Sequence, residues 1–189
     1  MARGRTAVVA VLLGATVLAG AGGCEARSAN AAKVPISSSV PEVPPASSAG
    51  GACHLLDYDQ IAEVLGARFA VAAAGRQHDT YTCVVQAAGA SFPDLMIGVT
   101  ATVADRAAFD VAVRPAGAAA VGSLGLAAYS LTAPPMGGAG PGSTVGWLTG
   151  NGRLIVLAYR LPPTASAADA GAMTPKLVTL AQQIDFASS

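Results

Sequence analysis

Apolar positions in this chain recur with two different periods, and each change of period marks an element. The first stretch has no period at all. Thr6–Gly23 is an uncharged run of about 18 residues behind Arg3 and Arg5, closed by Ala21-Gly22-Gly23-Cys24. The next periodic segment follows Cys53. Leu56-Asp57-Tyr58-Asp59-Gln60-Ile61 has a capping residue with Gln three positions later, and Leu56 is placed to staple onto Ile61. Tyr58, Ile61, Val64 and Leu65 fall on one helical face, and Gly66 supplies the stop, so a helix is predicted over 57–65.

The period then shortens to two. Phe69–Ala74 is a weak strand candidate, and Gly75–Asp79 is polar turn material. Thr80–Gln86 reads as a strand through Tyr81, Thr82, Cys83, Val84 and Val85. Asp94–Thr102 alternates, with Leu95, Ile97, Val99 and Ala101 on one face and Asp94, Thr100 and Thr102 on the other. Thr102 with Asp105 forms a second capping signal, followed by Phe109, Ala112 and Val113 facing inward and Pro115 as the stop. Val121–Leu131 is a glycine-broken turn leading into a strand, and Ala133–Gly142 reads as a flexible loop. Thr144–Thr149 and Arg153–Leu161 make the clearest hairpin, joined through Gly150-Asn151-Gly152. Thr164–Met173 offers at most a helical turn, and Thr174 with Pro175 opens a final helix whose stripe is Leu177, Leu180, Ala181 and Ile184.

Strands run together instead of alternating with helices. The expected fold is therefore α+β: a mainly antiparallel sheet of about six strands with three helices packed on it.

The N-terminal run has the charged, apolar and small-residue order of an export signal. It is similar to a bacterial lipoprotein signal, in which the cysteine receives the lipid. This reading gives residues 1–23 as signal peptide, 24–52 as the lipidated Cys24 and a disordered Ala/Ser/Pro linker, and 53–189 as one domain. Two alternatives stay open: ordinary cleavage after Ala21, and a retained membrane anchor. The linker, Glu25–Gly51, holds Pro35, Pro41, Pro44 and Pro45 with six serines, six alanines and no aromatic residue, a composition that does not fold by itself.

Composition narrows function mostly by exclusion. The chain is 52% apolar and 12% charged, and Cys53–Ser189 carries seven Lys or Arg against nine Asp or Glu. Without a basic stripe, nucleic acid is not an expected partner. Three cysteines in an exported chain leave one to explain. Lipidation of Cys24 accounts for it, and Cys53 and Cys83 are left to pair as a disulfide, two buried free thiols being the other possibility.

Short motifs resemble those of exported actinobacterial lipoproteins of the "domain of unknown function 3558" type. These are Cys53-His54-Leu55-Leu56 before the first helix, Tyr81-Thr82-Cys83 in a strand, and Val121-Gly122-Ser123-Leu124-Gly125 before Ala127-Ala128-Tyr129. The resemblance implies a fold and a location, and it carries no activity or catalytic residue.

The candidate chemistry is thin. His54 and His78 stand near Asp57, Asp59 and Asp79, without the spacing of a metal site. Ser91 and Ser123 only approach the G-x-S-x-G pattern. Asp57 and Asp59 at a helix start are explained by the macrodipole, Glu63 reads as a solvated residue, and Trp147 reads as core, with ligand stacking as the alternative. No catalytic residue, metal or cofactor is expected. The chain reads as a lipoprotein of the cell membrane's extracytoplasmic face, held by the lipid on Cys24. Its tethered domain would bind a hydrophobic ligand or an envelope protein. The alternatives are an envelope hydrolase or accessory enzyme and a purely structural assembly factor.

Overall fold

The computed structural model describes residues 43–188, and Val40–Ser189 forms one compact unit. The signal, Cys24 and most of the linker lie outside the described residues.

The chain enters through two 3₁₀ turns, Ala46–Ala49 and Gly51–Leu55, and then forms α1, Tyr58–Leu65. Asp57 caps α1 by accepting from the Gln60 amide at 2.9 Å, and Gly66 ends it at φ +75°. A β-carbon is strained in that left-handed conformation, which explains glycine there. Three strands follow: β1 (Val71–Gln77), β2 (Thr80–Gln86) and β3 (Asp94–Ala101). A short helix, α2 (Arg106–Ala108), runs into a π-helical turn, Phe109–Val113. Four more strands complete the sheet: β4 (Ala119–Ala120), β5 (Ala127–Ala133), β6 (Gly142–Leu148) and β7 (Arg153–Arg160). Helix α3, Ala167–Ser188, closes the described chain.

All seven strands form one sheet in the order β1-β2-β3-β7-β6-β5-β4, and every neighbouring pair is antiparallel. The α+β expectation therefore holds, with seven strands instead of six. The additional strand is the two-residue β4, too short to carry a period.

One face of the sheet holds the main core. Val85, Ile97, Val145, Trp147, Ile155 and Leu157 are all fully buried there. Ile61 and Leu65 of α1 and Leu177, Leu180 and Ile184 of α3 belong to the same cluster. Burying each such side chain contributes about 1.5–3 kcal/mol, so this layer dominates stability. A smaller cluster on the opposite face seats Phe109 against Tyr129, ring centroids 5.9 Å apart. The expected disulfide is present: Cys53 and Cys83, both inaccessible, join the second 3₁₀ turn to β2.

Several expectations need correction. Ala46 and Ala52 are buried although they belong to the predicted linker, because the disulfide holds this segment against β1 and β2. Gly75–Gln77 continues β1, and only His78-Asp79 turns, with His78 at φ +54°. Asp105, not Thr102, caps α2, accepting from the Ala108 amide at 2.8 Å. Ala112 is exposed, since the π-helical turn shifts the inward face to Phe109 and Val113. The predicted loop at Ala133–Gly142 is only partly a loop. Ala139–Gly142 is buried, and the Gly140 amide donates to the Leu161 carbonyl at 2.9 Å. A β-carbon on Gly140 would stand 2.0 Å from the Pro162 carbonyl oxygen.

Helix α3 starts eight residues earlier than Thr174, at the Ser166 cap, where Asp169 accepts from the Ser166 amide at 2.7 Å. Pro175 sits inside the helix. It removes one backbone donor, but Ala170 is fully buried and its carbonyl accepts from Ser143 Oγ at 2.6 Å. Packing on β6 outweighs the proline's local preference.

The buried tyrosines make the fold alkali-sensitive. Burial raises the Tyr129 and Tyr159 hydroxyls above the ordinary 10.0, and for Tyr159 the Asp94 carboxylate adds to the effect. The fold favours the neutral phenol, so this contribution is complete below pH 10 and is lost as pH rises through the raised values. Phenolate absorbance from these residues should appear together with loss of circular dichroism. Four tyrosines titrating reversibly near pH 10, with the fold intact, would contradict this.

Candidate functional site

Two recesses open side by side at one end of the main core face, and His54, Leu55 and Arg153 line both. The larger, about 860 Å³, is lined by Asp57, Tyr58, Asp59 and Gln60 from the start of α1, with Phe69 and Ile184 also contributing. Val43, the first described residue, borders it. The smaller, about 420 Å³, is walled by Ala52, Leu55, Tyr81, Val99 and Ala101, with Asp79 also lining it. The larger recess is of mixed polar and apolar lining, and the smaller is largely apolar.

Local structure explains each placement. His54 and Leu55 sit on the 3₁₀ turn that Cys53 ties to β2, and His54 Nδ1 lies within hydrogen-bond distance of the Gly51 carbonyl. Arg153 opens β7 directly after the Thr149–Gly152 turn. Thr149 Oγ1 accepts from the Arg153 amide at 3.0 Å and donates to its carbonyl at 3.2 Å, which fixes the backbone beneath the guanidinium. Ala101 pairs with Arg153 across β3 and β7, so the apolar wall and the cation are neighbours in register. Tyr81 is 41% exposed, and the Arg76 guanidinium lies 4.9 Å from its ring centroid. Burial raises the Tyr58 hydroxyl above its ordinary value.

Among the described residues Arg153 makes no ion pair, whereas Arg160 and Arg114 are each paired with an aspartate. Asp57 is occupied as the cap of α1. The two adjacent recesses, called the groove, have the Arg153 cation in their shared lining.

The residues singled out in the sequence are distributed as follows. His54, Asp57 and Asp59 all line the larger recess, and Asp79 lines the smaller, apolar one. Glu63 is exposed on α1. His78 turns the β1–β2 hairpin, its carbonyl accepting from Arg76 Nε at 3.0 Å. Among the described residues no three His, Cys, Asp or Glu side chains converge as a metal site would require. Ser91 and Ser123 line neither arm of the groove. Ser123 instead borders a separate recess of about 210 Å³ beside Arg106 and Arg114. Trp147 is inaccessible, and its Nε1 donates to Asp185 Oδ1 at 3.0 Å, so its role is in the core.

Arg153 and the wall formed by Val99 and Ala101 were not legible as a site in the sequence. The only local hint was a lone arginine at a hairpin end.

No helix of the described residues is long and apolar enough to cross a membrane. No family model matches the chain, and neither a curated protein nor a solved structure matches it.

Proposed function

We propose that this chain is a cell-envelope lipoprotein, anchored through Cys24 on the extracytoplasmic face of the membrane, whose domain binds a ligand in the groove at His54, Leu55 and Arg153. The groove is the observation that carries the binding reading: concave, with one mixed and one apolar arm and, lining both, an arginine that makes no ion pair among the described residues. The Cys53–Cys83 disulfide supports an oxidising compartment. The order of charged, apolar and small residues before Cys24 supports lipidation. The Cys53-His54-Leu55-Leu56 and Tyr81-Thr82-Cys83 motifs support a place among the "domain of unknown function 3558" lipoproteins.

Two acyl chains are enough for stable anchoring. Cys24→Ser should therefore move the protein out of the lipid-anchored membrane fraction, either into the medium or into an uncleaved precursor of higher mass. A wild-type protein that is soluble and begins at Gly22 would rule out lipidation. Native mass spectrometry of the domain from its own host tests the binding half, with a co-purifying small molecule as the expected result.

A further inference from the structure

The two arms of the groove differ in chemistry, and that difference restricts what fits. The smaller arm offers Leu55, Val99, Ala101 and the exposed ring of Tyr81. Removing such surface from water rewards an apolar chain. The larger arm mixes the hydrogen-bonding groups of Asp59 and Gln60 with apolar surface from Leu56, Phe69 and Ile184. A ligand lying in both arms passes His54 and Arg153, which line both.

Asp57 and Asp59 line only the larger arm and Asp79 only the apolar arm, while Arg153 lines both and, among the described residues, makes no ion pair. Arg76, over the Tyr81 ring, adds a second cation beside the apolar arm. A guanidinium binds carboxylate or phosphate oxygens in a two-pronged manner, which fixes an anionic group more strongly than a neutral one.

We infer that the groove binds a single-chain amphiphile with an anionic head, its chain in the arm formed by Leu55, Val99 and Ala101 and its carboxylate or phosphate on Arg153. This inference rests on the binding reading above and names the ligand class for the same groove.

The test uses Val40–Ser189, which forms one compact unit containing the disulfide. It is secreted in oxidised form and titrated with a dansyl-labelled undecanoate below its micellar concentration. Dodecanoate, dodecyl phosphate and dodecanol then compete as unlabelled ligands. Saturable binding is expected, displaced by dodecanoate or dodecyl phosphate at least about tenfold better than by dodecanol, the ratio of a charge-assisted hydrogen bond to a neutral one. The better of the two anions identifies the head group. Arg153→Ala should erase that preference while leaving dodecanol unchanged. Ala101→Glu, at an exposed position, should weaken all of them, with circular dichroism matching wild type as the check on folding.

Equal displacement by dodecanol and the two anions would overturn the assignment of an anionic head. Binding unaffected by both Arg153→Ala and Ala101→Glu would overturn the location. No saturable binding of the labelled undecanoate, in a protein that still carries a co-purified polar solute, would overturn the amphiphile and leave the binding reading standing.

Discussion

Replacing Cys53 and Cys83 together by alanine is expected to destabilise the domain by about 3–4 kcal/mol, the chain-entropy value for a crosslink spanning 30 residues. For a domain of this size that corresponds to a fall in melting temperature on the order of 10 °C. The bridge joins the second 3₁₀ turn to β2, and both sulfurs are enclosed. Its removal therefore frees the segment carrying His54 and Leu55 as well as loosening the whole. Denaturant titration of the double variant against oxidised wild type measures the loss. Midpoints that coincide would mean that the turn is held by packing of Ala46 and Ala52 alone.

The second large effect concerns Asp94. Its side chain is inaccessible, and its two oxygens accept from Arg160, Nε at 2.8 Å and Nη2 at the other oxygen. Phe92 flanks the guanidinium, whose carbon lies 5.4 Å from the ring centroid. The hydrogen bonds that Arg160 donates to Asp94 hold the arginine's affinity for its proton above the ordinary value, and burial works against them. Arg160→Met leaves a buried carboxylate without a cation. Such a loss costs about 3–5 kcal/mol, and the partial exposure of Arg160 places this case near 3.

Adding Asp94→Leu to Arg160→Met should recover most of the loss, because it removes the stranded carboxylate as well. A deficit that the second substitution does not relieve would show that Arg160 contributes by its packing on Phe92 instead.

What the sequence revealed was what depends on neighbours in the chain. Asp57, Gln60 and Gly66 bound α1 by contacts within one turn, and all three were readable. The β6–β7 hairpin was readable for the same reason. Asp94 was placed on a polar face, and nothing near it in sequence indicates burial, because its partner arrives on β7 through sheet pairing. Pro175 gave a misleading start for α3 because a proline's preference is local, whereas the buried Ala170 and its bond from Ser143 are tertiary. The groove suffered most from this limit. His54 was visible as a lone histidine, but its meaning depends on Arg153, which only the sheet order brings beside it.

The crosslink also decides how the domain carries mechanical load. A pull on the chain ahead of Val43 can unravel only the residues up to Cys53, a release of about 35 Å at most. Beyond that point tension passes through the sulfurs into Cys83, in the middle of β2, and not into the peptide backbone leading to α1. The residues between the two cysteines are thereby spared, including α1 and its half of the groove. The strand that receives the force is hydrogen-bonded on both sides, by β1 and β3, so it resists as part of a sheet and not as an edge.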